Sequence, residues 1–161
     1  MPELTAKLRK ELDLIQIKVL PEDYIFVRLP PDAKAIPGEW YRPATTRFAV
    51  FIRDPEEITL IVAQRKWMGM RNLFRKCRVS RKVRVVMLDL RRVKHPARCL
   101  PIIGRAFVEA GLATAPLASA HAVHVLVRRE NLPKTIRVLR GLLSGEHGPG
   151  SPPARHRRPR A

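Results

Sequence analysis

The sequence has few cysteines and no long apolar run. Its two cysteines, Cys77 and Cys99, are too few for a disulfide framework or a cysteine-based zinc site, and they are typical of a protein in a reducing cytoplasm. No run of about 18 apolar residues occurs, which excludes an ordinary transmembrane helix. The first residues contain no apolar segment of a secretory signal peptide. We therefore expect a cytoplasmic protein that has no membrane partner.

The sequence also lacks the motifs of several enzyme classes. It contains neither a GxGxxG pattern nor a P-loop. Ser119 lies close to His121 and His124 in the sequence, but no third residue is spaced to orient them as a nucleophile and a base. The histidines have no cysteine or carboxylate at metal-ligand spacing, and the acidic segment 54–57 is typical of a hairpin turn. We therefore predict a protein that is not an enzyme, with no catalytic residue, no metal and no cofactor.

Hydrophobic residues make up 45% of the 161-residue chain, which is sufficient for the core of one domain or of two small ones. Apolar segments bounded by turn residues predict strands. These strands cover residues 12–19, 24–29, 46–53, 58–63, 83–90, 113–118 and 122–128. Apolar residues at helical spacing predict helices. These helices cover residues 4–12, 67–77, 96–110 and 131–143. Gly111 follows the third helix, where a positive φ is needed.

The order of elements in the second half is strand, helix, strand, strand, helix. This order predicts a ferredoxin-like arrangement with both helices on one face of an antiparallel sheet. The first half has four strand patterns and weaker helices, and it is compatible with a second, degraded copy of the same unit. The fold class is therefore expected to be α+β.

Positive charge is concentrated in two segments. The formal net charge is +18, and residues 65–84 contribute nine basic side chains without one acidic residue. The last eleven residues contribute four more, so only +5 remains for the other 130 residues. Segment 145–161 is rich in Gly, Pro and Arg and is predicted to be disordered, either as a solvated appendage or as a weak electrostatic arm for an acidic partner.

Segment 65–84 has two interpretations. Trp67, Met70, Phe74 and Cys77 fall on one face of a predicted helix. In the first interpretation this face packs on a sheet and the cations are solvated. In the second, the segment binds nucleic acid and Trp67 stacks on bases. The second interpretation makes a set of seven residues the nucleic-acid contacts: Arg65, Lys66, Trp67, Arg71, Arg75, Lys76 and Arg78.

Segment 24–63 resembles the first half of the paired ACT-domain proteins, small cytosolic regulators that include amino-acid sensors. The residues that match an extended segment and a following turn are Tyr24, Arg28, Leu29, Pro30, Pro31, Asp32, Ala33, Pro37 and Trp40. Those that match the closing hairpin are Arg53, Pro55, Glu57 and Ile61. The second half resembles a general ACT unit through Ala110-Gly111-Leu112, and the resemblance covers residues 12–143.

The resemblance implies two ferredoxin-like (βαββαβ) ACT units in tandem, with antiparallel sheets and helices on one face. Residues 1–78 would form the first, degraded unit and residues 79–144 the second, followed by the tail 145–161. The resemblance further implies a small regulatory or sensor protein that binds a small-molecule ligand, an amino acid or an anionic metabolite. A homodimer is expected because open edge strands favour pairing between copies.

Two departures from the family bear on the ligand. ACT units that bind amino acids usually carry glycine in the loop after their first strand, and paired relatives carry aspartates in the turn before a later strand. Here the loop 91–98 has no glycine and the turn 119–123 has no acidic residue, so the cations of the loop favour an anion. The predicted ligand-binding residues are Arg91, Arg92, Lys94, His95, Arg98, Ser119 and His121.

Two other functions remain as alternatives. A ferredoxin-like sheet is also the platform of RNA-binding RRM domains, and the basic segment 65–84 together with the tail would contact RNA. Against this, strands 83–90 and 122–128 contain no aromatic pair of the kind that stacks bases. The remaining alternative is an adaptor whose partner is an acidic protein.

Overall fold

The computed structural model describes residues 5–33 and 47–144. Within these ranges the chain forms eight strands in one antiparallel sheet and four α-helices, so the α+β class is confirmed. The strands are β1 Gln16–Val19, β2 Tyr24–Leu29, β3 Val50–Arg53, β4 Ile58–Ala63, β5 Arg78–Val79, β6 Val83–Asp89, β7 Thr114–Ala118 and β8 Ala122–Arg128. The helices are α1 Ala6–Leu12, α2 Gln64–Met70, α3 Pro96–Glu109 and α4 Leu132–Ser144.

Most elements lie where the sequence places them. The bounds of β2, β4 and β8 are those predicted, and the hairpin turn 54–57 is confirmed by the pairing of Arg53 with Ile58. Gly111 has a φ of 63°, as the end of α3 requires. The predicted tail 145–161, and the Pro37 and Trp40 positions of the family resemblance, lie outside the described residues.

The predicted helix over residues 67–77 is wrong beyond its first part. Helix α2 ends at Met70, a 3-10 turn follows at Arg71–Leu73, and Phe74 is extended. Trp67, Met70 and Phe74 nevertheless pack in one buried cluster, whereas Cys77 is exposed. The chain leaves the helix because the following residues turn back to form β5, a two-residue strand that the sequence pattern did not predict.

Two strands join the halves of the chain into one sheet. The strand order is β3-β4-β2-β6-β8-β7, and Tyr24 at the start of β2 pairs with Val83 at the start of β6. Strand β1 continues along β6, and β5 lies beside the far end of β2. The two halves therefore share one continuous sheet within the described residues.

The strand pairings repeat between the two halves. In the first half β2 pairs with β4 and β4 with β3; in the second, β6 pairs with β8 and β8 with β7. The two hairpins have equal turn lengths, because Arg53 pairs with Ile58 and Ala118 pairs with Val123. Asp54 and Ser119 consequently hold the same position in their turns, directly after the outer strand.

Alternating side chains divide the core between the two faces of the sheet. On one face, α1, α3 and α4 cover β6 and β8 around buried Leu88, while α2 covers β2 and β4 around buried Leu60. The other face has no described helix, and its buried residues surround Tyr24, which is fully buried. The predicted placement of helices on one face therefore matches the described part of the chain.

Phe48 links the two halves across the helix-free face. Its ring lies edge-on to Tyr24 with ring centroids 5.5 Å apart, and it stacks on His124 of β8 at 4.7 Å. Burial lowers the pKa of His124 below its ordinary value of 6.5. Burial and the neighbouring Glu22 carboxylate raise the pKa of Tyr24 to about 12. Both groups are therefore held neutral within an apolar environment.

Helix α1 contacts the ends of two other helices. The two terminal nitrogens of Arg9 donate hydrogen bonds at 2.9 Å to the carbonyl oxygens of Leu142 and Leu143 in the last turn of α4. A carboxylate oxygen of Glu11, which is only 7% exposed, accepts a hydrogen bond at 3.2 Å from the backbone nitrogen of His95, just before α3. The cation thus meets the negative end of one helix dipole and the carboxylate the positive end of another.

No helix in residues 5–33 and 47–144 has the length and apolar character needed to cross a membrane.

Candidate functional site

The second half brings the predicted loop and turn together at one end of the sheet. The backbone nitrogen of Leu90 donates a hydrogen bond to the carbonyl oxygen of His121 at 2.8 Å. The Ser119 hydroxyl donates to the carbonyl oxygen of Ala122 at 3.1 Å and holds the turn closed. The loop that follows β6 therefore lies against the turn between β7 and β8, as the predicted ligand site requires.

Arg91 is engaged by its own neighbour in this site. Its guanidinium contacts both carboxylate oxygens of Asp89, with Nε 3.0 Å from each, and its backbone nitrogen donates to one of them at 3.0 Å. These hydrogen bonds hold the pKa of Asp89 down at about 2. The sequence reasoning missed Asp89 because it is the last residue of a strand. Its carboxylate orients Arg91 and removes one positive charge from the site.

Three further cations remain exposed around this end of the sheet. Arg92, Lys94 and Arg98 are exposed and form no ion pair with a carboxylate of the described residues. His95 is also exposed, and His121 lies close enough to favour ionised Asp89. We call the set formed by Arg91, Arg92, Lys94, His95, Arg98, Ser119 and His121 the cationic loop site.

The backbone N–H groups of this loop are largely committed. Arg91 donates to the Asp89 carboxylate, Val93 donates to the carbonyl of Leu90 at 3.0 Å, and His95 donates to Glu11. The Glu11 carboxylate thereby accepts a hydrogen bond directly before α3. The exposed side-chain cations are therefore the main groups that this loop offers to an anion.

A groove of about 540 Å³ lies at the opposite end of the sheet, because β2 and β6 are antiparallel. Its walls are residues 28–31 at the end of β2, Glu56 and Glu57 of the hairpin turn, and residues 75–78. We call it the β2 groove. The groove lies at the end of β2 beside the β3–β4 turn, and the cationic loop site lies at the end of β6 beside the β7–β8 turn. The two sites therefore hold equivalent positions in the two halves. The sequence reasoning missed the β2 groove, since only the pairing of β5 with β2 brings residues 75–78 to this place.

The basic segment 65–84 is divided between core and surface. Trp67 is 4% exposed and stacks on Phe74 with ring centroids 5.7 Å apart, so the proposed stacking of Trp67 on bases is wrong and the packing interpretation holds. Arg65 forms an ion pair with Glu22, and Lys66 is half-buried. The other predicted contacts are exposed, namely Arg71, Arg75, Lys76 and Arg78.

Comparison with known proteins gives matches in structure only. No protein-family model matches the chain, and no curated protein matches it. A Vibrio cholerae protein of unknown function, a possible transport protein, shares 15% sequence identity, covers 84% of this chain and 95% of its own length, and gives a TM-score of 0.65. An Agobacterium tumefaciens protein shares 18% identity over 80% of this chain and 89% of its own, with a TM-score of 0.62.

Regulatory parts of aspartate kinases are also among the similar structures. The regulatory subunit of aspartate kinase from Thermus flavus shares 10% identity, covers 80% of this chain and 95% of its own, and gives a TM-score of 0.57. Identities this low establish a shared fold alone. The chain therefore shares the fold of this regulatory subunit, which is consistent with the resemblance in segment 24–63.

Proposed function

We propose that the protein is a regulatory or sensor protein that binds a small anionic molecule or an amino acid through two ACT-like units in tandem. The observation that carries the proposal is the fold, which spans about four-fifths of the chain and is shared with the regulatory subunit of aspartate kinase from Thermus flavus. In this proposal residues 1–78 and 79–144 are the units and residues 145–161 are an appended tail. The protein performs no catalysis.

The repeated strand pairing supports the tandem arrangement. Each proposed unit supplies the order β2-β4-β3 or β6-β8-β7, with hairpins of equal turn length. The first unit also supplies a short strand to the second, since β1 pairs with β6, while β5 lies at the boundary between the units and pairs with β2. The pairings of β1 and β2 with β6 explain how two units share one continuous sheet.

The cationic loop site determines the class of ligand. Its exposed cations Arg92, Lys94 and Arg98 have no described carboxylate partner, so an anionic group is the complement that neutralises them. Because the backbone N–H groups of Arg91, Val93 and His95 already have acceptors, the charge and the guanidinium geometry of the side chains provide the recognition of the anion. Phosphate esters and carboxylates both meet this requirement.

A thermal-shift screen of amino acids, nucleotides and phosphates with the full chain tests the proposal. A ligand at about 100 times its Kd adds roughly 2.7 kcal/mol of stability, which raises the Tm of a chain of this size by about 5 to 10 °C. The triple variant R92Q/K94Q/R98Q should lose the shift given by compounds that carry no phosphate, such as amino acids. The matched variant K134Q/R137Q/R140Q removes three exposed cations from α4 and should keep it. Absence of a shift with every compound would contradict the proposal.

The alternative is an RNA-binding module, favoured by the exposure of Arg75, Lys76 and Arg78 without a described carboxylate partner. With Trp67 buried, affinity would come from phosphate contacts alone. Binding of single-stranded RNA would then fall steeply with salt, and neutralising these three cations would flatten the logarithmic slope by about 0.7 per lost contact. An unchanged slope would reject this alternative.

The proposal includes a homodimer that pairs through the outer edge of β3. No described strand pairs with that edge, and Phe51 and Ile52 are 40% and 45% exposed on it. The other edge strand, β7, contains Pro116, which removes a donor and protects that edge. Light scattering after size exclusion should give twice the chain mass, and Ile52→Lys should give the monomer. A monomer at every concentration would contradict this part.

A further inference from the structure

We propose that the β2 groove is a second ligand site and that it binds a compact phosphate-bearing molecule. The site is separate from the cationic loop site and does not depend on it. Its residues come from three places in the sequence: the end of β2, the β3–β4 turn and the segment before β5. The inference rests on the charge pattern of this groove and on the way its walls are fixed.

Two arginines on neighbouring strands line the groove. Arg28 of β2 and Arg78 of β5 are direct partners in the antiparallel pairing, so their side chains leave the same face of neighbouring strands. Like charges placed directly opposite each other destabilise a sheet. A doubly charged oxyanion bound by both guanidiniums would remove this repulsion, because each guanidinium matches phosphate geometry with two donors.

The described carboxylates neutralise only part of the groove. Glu57 is held 3.7 Å from a terminal nitrogen of Arg28 and accepts a hydrogen bond from the Thr59 hydroxyl at 3.0 Å. Arg75, Lys76 and Arg78 form no ion pair with a carboxylate of residues 5–33 and 47–144. Four cations therefore face two carboxylates across the groove, and an excess charge of two remains.

The walls of the groove are fixed before any ligand binds. A terminal nitrogen of Arg53 donates to the carbonyl oxygen of Pro31 at 3.1 Å and ties the hairpin to the end of β2. In the turn, the Asp54 carboxylate accepts from the backbone nitrogens of Glu56 and Glu57 at 2.8 Å each. The strand pairing thus fixes the backbone of Arg28 and Arg78, and the turn fixes that of Glu56 and Glu57, so binding requires little ordering of these two walls.

The acidic turn limits the ligand to a compact molecule. Glu56 and Glu57 border the groove on the side of the hairpin, where the phosphates of an extended nucleic acid would meet negative charge. A small phosphate ester, by contrast, can place its phosphate between Arg28 and Arg78 and direct hydroxyl or amino donors toward Glu56. The structure therefore favours a phosphorylated small molecule over a nucleic-acid strand.

Cys77 supplies a direct probe of this groove. It is exposed and lines the groove, whereas Cys99 is buried and serves as an internal reference. The full chain is treated with neutral iodoacetamide over a series of inorganic pyrophosphate concentrations, with sodium chloride at matched ionic strength as the control. We expect pyrophosphate, and not the salt control, to slow modification of Cys77 in a saturable way, measured by mass spectrometry.

Variants connect this protection to the arginine pair. Arg78→Gln should raise the pyrophosphate concentration at half-protection about tenfold or more, the effect of one lost charge-assisted hydrogen bond. Lys76→Gln is a second variant at a side chain with no described ion pair, in case the strand pairing of Arg78 affects folding. Arg140→Gln on α4 is the matched control and should leave half-protection unchanged, as should the loop variant R92Q/K94Q/R98Q.

Other outcomes would overturn the inference. Protection that is not saturable, or that is equal in Arg78→Gln, Lys76→Gln and the parent chain, would show that the groove has no anion site. Protection by single-stranded RNA without protection by pyrophosphate would show a surface for extended polyanions instead. Because the loop variant leaves the groove intact, loss of the thermal shift in that variant with retained Cys77 protection separates this site from the proposed function.

Discussion

The end of β2 and the end of β6 occupy equivalent positions in the repeated strand pairing, yet they carry different charges. At the end of β2 the adjoining turn supplies Glu56 and Glu57, and the cations arrive from the neighbouring strand. At the end of β6 the adjoining turn has no acidic residue, and the cations belong to the loop itself. In the two sites that we propose, the framework sets where the ligand binds, and the turn residues set the chemistry that it must have.

The largest expected effect tests whether the two halves form one folding unit. Leu60 and Leu88 are fully buried on the helix-covered face, one in each half. Leu60→Ala and Leu88→Ala should each cost about 2 to 5 kcal/mol of unfolding free energy. Because one sheet joins the halves, each variant should unfold in a single transition. The urea concentration at its midpoint should be lower than in the parent chain, and circular dichroism and fluorescence should give the same midpoint. Exposed Val108→Ala is the control, and two separate transitions would contradict the shared sheet.

The next effect concerns the contact between Glu11 and the start of α3. Glu11→Gln removes the carboxylate at the start of α3 and should cost about 1 to 2 kcal/mol, because a partly buried charge at a helix end is worth that much. Hydrogen exchange should become faster in α3 and remain unchanged in β2 and β4. Glu130→Gln removes an exposed carboxylate and should have no such effect. Equal acceleration in both halves would show that the contact is not local.

A smaller effect compares the two hairpin turns at equivalent positions. Asp54 accepts two backbone hydrogen bonds, so Asp54→Ala should cost about 1 kcal/mol. Ser119→Ala should cost less, about 0.5 kcal/mol, since the Ala122 oxygen also accepts from the Ser119 backbone nitrogen. Chemical denaturation of both variants measures the difference. A larger loss of unfolding free energy in Ser119→Ala than in Asp54→Ala would contradict this prediction.

The smallest effect is a dependence of stability on pH through the contact between the halves. Burial lowers the pKa of His124, so the unfolded chain binds a proton more readily than the folded one. The contribution of neutral His124 to the free energy of unfolding is complete above the ordinary pKa of 6.5 and declines as the pH falls below that value. The Tm should therefore decrease with acidification, and His124→Phe should reduce the slope of that decrease. An unchanged slope in His124→Phe would remove His124 as its cause.

The sequence predicts those elements whose cause is local. Strands β2, β4 and β8 have strong apolar patterns that end at turn residues, and their bounds are correct. Gly111 is recognisable because only glycine adopts its backbone conformation without strain. The loop and the turn of the cationic loop site come together because the strand order after residue 83 determines which loops are neighbours.

Features that depend on distant partners were not predicted. Strand β5 has two exposed residues and no apolar pattern, so only its pairing with β2 defines it. The β2 groove follows from that pairing. A glutamate in a short helix such as α1 is expected to be exposed. Glu11 accepts the hydrogen bond from His95 only because α1 lies against the start of α3.

The contacts of α1 also affect how the chain folds as it leaves the ribosome. The partner of Glu11, His95, lies 84 residues further along the chain. A partner of Arg9, Leu142, lies 133 residues further along. A nascent chain that stops before α4 therefore lacks the carbonyl partners of Arg9, so α1 completes its contacts only after α4 has been synthesised.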